Sequence, residues 1–294
     1  MPHQREYRVA APCELMAFLL GPPLHLSRTQ AKELLKFQSV AVRGMTRVRH
    51  DTPLAPGDIV TIAARRHAPD SSLERAGLRI VHIDDAIVVV DKPAGLLSMG
   101  SERDKENTAH RILNEHLKEA NKSQHQQAFI VHRLDRETSG LMIFARSEAM
   151  QGALQRNWKN VTKRYLAIVE GTPSNASGTL RDNLIESKSL MVHRVAKGGV
   201  PAITHYRVMR SLGARSLLEL TIETGRKHQI RVQLAAIGHP VVGDRKYGAA
   251  SDSARRLALH ACELKFPHPL SGAPMEFHSA LPEALKVLLQ RRRE

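Results

Sequence analysis

The chain has 294 residues, 42% of them hydrophobic, enough for one large core or for a core beside a small module. Forty-four Lys and Arg stand against 29 Asp and Glu, a net charge of +15, so a polyanion is the first partner to consider and nucleic acid the commonest one. Two lone cysteines, Cys13 and Cys262, make no disulfide framework, and no apolar run is long enough to span a bilayer; a reducing, cytoplasmic setting without a membrane partner is expected.

Near the N-terminus an apolar patch, Leu15 to Leu20, has an acidic residue before it and Pro-Pro after it, which makes a poor signal peptide. "LSRTQAKELLKFQSVAVRG" then opens with Ser27 as a candidate N-cap and predicts an amphipathic helix. Leu34, Leu35 and Phe37 form its apolar side, and Arg28, Lys32 and Lys36 its polar side. A short strand "VAVRG", the turn "DTPLAPGD" and a second strand "IVTIA" follow. Taken as residues alone, this is a small α+β cap with a basic face. The order helix–strand–turn–strand resembles the αL RNA-binding domain first described in a small-subunit ribosomal protein. That resemblance implies that residues 1–70 form an RNA-binding domain with its linker, and that Arg28, Lys32, Lys36 and Arg43 contact RNA.

"ARRHAPDSSLERAG" is rich in charge, Pro, Ser and Gly and is expected to be the linker. Residues 71–294 are strand-rich, with "LRIVHI", "AIVVVD", "FIVH", "GLMIFAR", "RYLAIVEG", "ITHYRVM" and "SLLELTIE". Four helical stretches interrupt them: "NTAHRILNEHLKEA", "SEAMQGALQRNW", "KHQIRVQLAAIG" and "LPEALKVLLQRRR". The alternation is too irregular for a doubly wound parallel sheet, and no glycine-rich dinucleotide fingerprint follows a strand. The expected class is α+β: a mixed, mostly antiparallel sheet with flanking helices. No internal repeat is present.

Between two of those strands lies "VHRLDRETSG", which places five ionisable side chains in one turn. It is similar to the signature H-R-L-D-x-x-T-S-G of the RluA-type pseudouridine synthases, which isomerise selected uridines in RNA. All seven specified positions match, an event expected on the order of once in several million random chains. The related Rsu type usually has Gly where His132 stands. Further segments match in order: "VVVDKPAGLLS", "KRYLAIVEG", "TGRKHQIRVQLAAIGHPVVGDRKYG" and "LALHACELKFPHPLSG", so the similarity runs from about residue 79 to 282. The chain departs from the pattern at Asp84-Asp85 and at Ser98-Met99-Gly100, where many members carry a His, and this leaves the subgroup open.

Converting uridine to pseudouridine breaks N1–C1′, turns the uracil and joins C5 to C1′, after which C5 loses its proton. Positive charge builds at the sugar carbon, and a carboxylate can stabilise it or attack it. The resemblance assigns that carboxylate to Asp135, and leaves open addition at C1′ or abstraction of a 2′ proton. A carboxylate in a water-excluding pocket stays ionised only beside a cation. The resemblance names Arg231, and a helix from His228 to Ile237 agrees, since its core stripe of Ile230, Leu234 and Ile237 leaves Arg231 at the edge. Tyr165, by itself an ordinary half-buried strand tyrosine, is by resemblance the residue that stacks on uracil and takes part in removing the C5 proton.

A uridine in folded RNA must be flipped out to reach a buried carboxylate, and by resemblance Arg133 fills the gap or pins a phosphate. His132, Lys92 of the Lys-Pro-x-Gly turn, Arg226 and Lys227 complete the expected substrate side, though a structural hydrogen bond is the simpler role for His132. Thr138, Ser139 and Gly140 shape the turn, with Gly140 permitting close backbone approach. His260, Cys262, His268 and His278 match no zinc spacing, so no metal and no cofactor are expected. The expected partner is RNA: ribosomal RNA because of the added αL domain, with transfer RNA as the alternative and a non-catalytic ribosome-assembly protein as the rival class. The chain is expected to be a monomer.

Overall fold

The computed structural model describes residues 4–24, 26, 28–36, 40–45, 48–63, 72–100, 106–120, 127–250 and 255–290. The chain divides into two compact units, Met1–Ser71 and Ser72–Glu294.

In the first unit the elements are β1 (Gln4–Arg8), β2 (Cys13–Glu14), α1 (Leu15–Leu20), α2 (Arg28–Lys36), β3 (Val40–Val42), β4 (Pro53–Leu54) and β5 (Ile59–Ala63). β5 pairs antiparallel with both β1 and β3, and β2 pairs with β4. The apolar patch is helix α1, with Leu15, Phe18 and Leu19 buried beside Val40, Val42 and Val60 in this unit's core. Ser27 and Phe37 lie outside the described residues, as do residues 64–71 of the expected linker. The linker's last part is not a linker: Ser72–Arg75 forms a helical turn, α3, and its Leu73 is buried in the core of the second unit. No helix among the described residues is long and apolar enough to cross a membrane.

The second unit continues with β6 (Arg79–Ile83), β7 (Ile87–Lys92), α4 (Ala109–Ala120), β8 (Phe129–Ile130), β9 (Ser139–Ala145), α5 (Glu148–Arg156), β10 (Thr162–Glu170), β11 (Ser177–Glu186), β12 (Val192–Val195), β13 (Val200–Ser211), β14 (Arg215–Ile222), α6 (Gln229–Ala236), β15 (Leu259–Pro267), β16 (Pro274–His278) and α7 (Glu283–Lys286). One sheet runs β12-β11-β13-β14-β10-β15-β9-β7-β6, with β16 paired to β15 and β8 to β9. Its pairings among the described strands are antiparallel except that of β9 with β15. The expected α+β class, with a mixed, mostly antiparallel sheet, is what the chain adopts.

β9 is buried along its whole length because both faces of the sheet are covered there. Met142 and Phe144 point into a cluster with Leu113 and Leu117 of α4, whereas Leu141 and Ile143 join Leu154 of α5, as the twofold alternation of a strand requires. Ser147 caps α5, its hydroxyl accepting from the Met150 amide at 3.2 Å. The closing helix is shorter than expected, Glu283–Lys286 followed by a 3₁₀ turn at Val287–Leu289. Strands β11, β12, β15 and β16 were not among the expected strands.

The parallel pair positions the site. Ser139 and Gly140 lie opposite His260 and Ala261. A Cβ on Gly140, whose φ is +116°, would stand 2.2 Å from the Ala261 carbonyl oxygen, so only glycine lets these strands approach there. β15 in turn pairs with β10, where a register shift falls between Arg164 and Tyr165. The turn before β9 and the side chain of Tyr165 are thereby brought to one region of the sheet.

Candidate active site

Asp135 sits in the turn between β8 and β9, and two stretches hold that turn from behind. The Ser98 hydroxyl donates to the Leu134 carbonyl at 2.7 Å and accepts from the Leu134 amide at 3.0 Å. Lys92 is fully buried, and its ammonium donates to the carbonyls of Pro93 (2.8 Å), Leu96 (2.7 Å) and Arg136 (3.3 Å). Burial pushes Lys92 down to about 7. The expectation that Lys92 contacts substrate is therefore corrected: its donors are consumed by backbone, and it staples the Lys-Pro-x-Gly turn to the Asp135 turn. Thr138 closes the turn, its amide donating to the Asp135 carbonyl at 3.1 Å.

Arg231 approaches from α6. Its Nη1 lies 3.4 Å from Asp135 Oδ2. The other edge of the guanidinium is held by Asp244, with Nε to Oδ2 at 2.7 Å and Nη2 to Oδ1 at 2.8 Å. The Asp244 side chain has no exposure, and it also accepts from the amides of Lys246 and Tyr247. The Tyr247 ring lies 5.2 Å from the guanidinium carbon, a further favourable contact for a cation. Hydrogen bonds and charge from Asp244 and Asp135 outweigh burial, which opposes them as the largest single influence, and keep Arg231 above its ordinary value. Of the expected stripe on α6, Ile230 and Leu234 are buried, but Ile237 is 37% exposed because the helix ends at Ala236.

His228 precedes α6 with a left-handed φ of 53°, a costly conformation for a residue with a side chain. Its Nε2 lies 3.9 Å from Asp135 Oδ2, and its Nδ1 lies 2.7 Å from the Tyr247 hydroxyl, which accepts from the Val192 amide at 3.1 Å. Burial pushes His228 down to about 4, so the ring is neutral near pH 7. The network is satisfied when Tyr247 donates to Nδ1, which puts the ring proton on Nε2, facing Asp135. Arg231 and His228 both act on Oδ2. Asp244, His228, Tyr247 and Ser98 were absent from the expected site residues.

Tyr165 is 8% exposed and lies within electrostatic reach of Asp135; burial, then that charge, raises its phenol well above the ordinary range. It holds its proton in this state, so it is not poised as a phenolate base. His132 turns the other way. Its Nε2 accepts from the Ile143 amide at 3.1 Å, its ring centroid lies 4.6 Å from that of Trp158, and burial pushes it down to about 3. Its place is structural, and the substrate-side expectation for it is corrected. Arg226 is exposed and donates from Nε to the Pro201 carbonyl at 3.1 Å, away from the residues that line the cleft. Lys227 lines the cleft while its ammonium pairs with Glu186. Arg133 lines it too, exposed, with no ion-pair partner among the described residues.

The cleft has a volume of about 590 Å³, and around Asp135 it presents Arg133, Arg136, Lys227, Arg245, Lys246, Arg255 and Arg256 in addition to Arg231. Among the described residues, only Glu137 joins Asp135 as an acidic group of this cleft. Such a wall recruits a polyanion and excludes bulk anionic competitors only weakly, so specificity has to come from shape.

A model of the RNA pseudouridylate synthase family matches residues 86–236. The ribosomal large subunit pseudouridine synthase D of Nitrosomonas europaea is 36% identical over 80% of this chain and 71% of that protein. Its counterpart of the same name in Yersinia pestis is 34% identical over 90% of this chain and 86% of that protein. This chain belongs to the RNA pseudouridylate synthase family. Among solved structures, human RNA pseudouridylate synthase domain containing 4 superposes with a TM-score of 0.60 at 25% identity, covering 71% of this chain and 90% of that one. The protein is thus an isomerase acting on RNA.

The histidines considered for metal are dispersed in this pseudouridine synthase. His260 bonds Ser139 and the Ser279 carbonyl, Cys262 the Arg164 carbonyl, and His268 lies beside Asp84 and Ser271. Glu263, Glu276 and His278 do gather within 4.8 Å of one another, but Lys265 (3.6 and 2.8 Å) and Arg164 (2.9 Å) already neutralise those carboxylates.

In the first unit, Arg28 and Lys32 are exposed on α2, and the side chain of Lys36 lies outside the described residues. Arg43 is exposed, but both ends of its fork are engaged by Asp58, at 2.7 and 2.6 Å. Its charge is largely answered within the protein.

Proposed function

We propose that this pseudouridine synthase modifies uridine in large-subunit ribosomal RNA, with Asp135 as its catalytic carboxylate. The observation that carries the catalytic assignment is the one-sided clamp on Asp135. Arg231, itself locked by Asp244, and the Nε2 edge of His228 both face Oδ2. Oδ1 is thereby free to meet the sugar of a flipped uridine. A cation fixed before substrate arrives holds Oδ2 in place, so the carboxylate needs no reorganisation as positive charge grows at C1′. The N1–C1′ bond breaks, the uracil turns against Tyr165, C5–C1′ forms, and the C5 proton is lost while N1 regains one. Tyr165 serves here as the packing surface for the base, since its phenol holds its own proton. Arg133, exposed at the cleft edge, is the group available to occupy the space left by the extruded base.

The ribosomal target is supported by the names of the relatives and by the basic cleft. The first unit, with Arg28 and Lys32 exposed, is read as an αL-type RNA-docking module. The chain is taken to act as a monomer in the cytoplasm. Carbodiimide mapping of pseudouridine across total RNA, with and without the protein, tests the target. A protein-dependent site in large-subunit ribosomal RNA is the expected result; sites confined to transfer RNA overturn it.

A further inference from the structure

A second cavity, of about 670 Å³, shares Glu137, Arg255 and Arg256 with the cleft and is otherwise lined by residues such as Arg79, Ser139 and His260. Arg256 thus forms wall on both, beside the turn that carries Asp135. Its position is built. Gly243 packs so closely on its backbone that a Cβ there would stand 2.2 Å from the Arg256 carbonyl oxygen. Its Nη2 donates to the Ser139 hydroxyl at 2.7 Å and its Nε to the Leu257 carbonyl at 3.2 Å.

The direction of these bonds follows from the far end of the chain. His260 is 1% exposed, and its Nε2 lies 3.3 Å from the Ser279 carbonyl, which can only accept. Burial pushes His260 below its ordinary value, so the ring is neutral with its proton on Nε2 and an accepting Nδ1. The Ser139 hydroxyl, 2.9 Å away, therefore donates to Nδ1 and turns its lone pairs to Arg256. Both partners of Arg256 are neutral oxygens that orient it without cancelling its charge. Among the described residues no carboxylate lies within ion-pair distance of it. Arg79 differs: it is paired with Asp91 at 3.0 Å. Burial lowers Arg256 from its ordinary value, and the charge of nearby Glu137 opposes that shift only in part.

We propose that Arg256 is a phosphate-binding residue, and that the cavity it shares with the cleft takes a phosphodiester group of the RNA chain close to the uridine held at Asp135. This rests on the uridine site proposed above. A guanidinium suits the task because its fork meets two phosphate oxygens at once and its charge survives burial. Ser139 and His260 are then positioning residues for that fork, and fixing a phosphate beside the turn fixes the sugar attached to it.

The test uses the full chain and a stem-loop RNA bearing the mapped uridine, with single neutral methylphosphonates placed in turn at each flanking position. One position is expected to weaken wild-type binding roughly tenfold, as loss of a charge-assisted hydrogen bond should. In Arg256→Gln the same substitution should cost nothing further, and the slope of log affinity against log salt should fall by about one contact. Equal methylphosphonate penalties in both proteins, or an unchanged salt slope, overturn the proposal. Binding of inorganic phosphate that depends on Arg256, with a flat methylphosphonate scan, also overturns it, since the site then serves a free anion. Should Arg256→Gln fail to fold, Arg256→Lys replaces it: charge stays, the fork is lost, and the penalty must fall below wild type or the proposal fails. Pseudouridine formation by wild type on the unmodified stem-loop is scored separately, so failure of the catalytic reading is distinguishable from failure of the phosphate site.

Discussion

Asp244 grips Arg231 through Nε and Nη2 at 2.7 and 2.8 Å, so that only Nη1 is left to face Asp135, at 3.4 Å. A carboxylate 13 residues from the arginine in sequence thereby aims it at one 96 residues away. The two carboxylates have different duties. Asp244 has no exposed side-chain surface and Asp135 has 25%. Removing each charge should therefore produce a different defect.

Asp244→Asn leaves a buried guanidinium short of its counterion. It should cost about 3 kcal/mol of stability, the usual scale for breaking a buried pair from one side. The misaimed Arg231 should also slow single-turnover pseudouridine formation roughly a hundredfold. Urea unfolding and a quenched time course read the two effects. Wild-type stability in this variant would show that the bidentate contact does not hold the site.

Asp135→Asn keeps the shape of a part-exposed side chain and removes its charge. Turnover should vanish while RNA affinity stays within about threefold, because the interaction lost is made chiefly in the transition state. Pseudouridine appearing at the wild-type rate would remove Asp135 from the mechanism.

Lys92→Met tests whether that lysine staples the turn or touches RNA. Three carbonyls lose their donor, so stability should drop by about 2–3 kcal/mol. The salt slope of RNA binding should not move, since no phosphate contact has been deleted. A shallower slope would restore Lys92 to the RNA interface.

Acid should loosen the fold through His132. Its folded-state value is pushed down to about 3, whereas the unfolded chain takes up the proton near the ordinary 6.5. The unfolded state therefore binds more protons between those values. This contribution is whole above pH 6.5 and is lost as pH falls toward 3, by at most about 1.4 kcal/mol per pH unit. His228, pushed down to about 4, adds in the same direction. Urea unfolding at pH 7.5, 6, 5 and 4 should show a shallower loss in His132→Asn than in wild type; parallel curves would contradict this reading.

Arg28→Gln with Lys32→Gln in the full chain tests the first unit as an RNA-docking module. RNA binding should weaken, and the slope of log affinity on log salt should become shallower by up to about two contacts. A slope identical to wild type would take these two residues off the RNA.

Elements with a strong local period were legible in the chain. α4, α5, β7, β9, β10 and β14 all appear where alternation or helical spacing placed them, because each buries a continuous apolar face. β11 was not legible: "SGTLRDNLIE" alternates, but with Arg181, Asp182 and Asn183 along it and Leu184 alone buried, so its pairing with β13 holds it in the sheet more than its hydrophobicity does. β15 was hidden in another way, since His260, Cys262 and Glu263 interrupt its apolar run with polar residues whose partners lie elsewhere in the fold.

By itself the sequence determined the family and the candidates: a motif around Asp135 dense enough to exclude coincidence, Tyr165 and Arg231 named through the resemblance that motif carries, and a basic chain suited to a polyanion. Tertiary structure alone decided which polar groups answer one another. Asp244, His228 and Tyr247 carry no local signal that ties them to Arg231 or Asp135. Lys92 looks like a substrate cation until three carbonyls are found around it. The physical reason is that motif spacing is local, whereas the partner of a buried charge is set by the register of strands far apart in the chain. Here that register is the pairing of Ser139 and Gly140 with His260 and Ala261, which exists only once β9 and β15 have met.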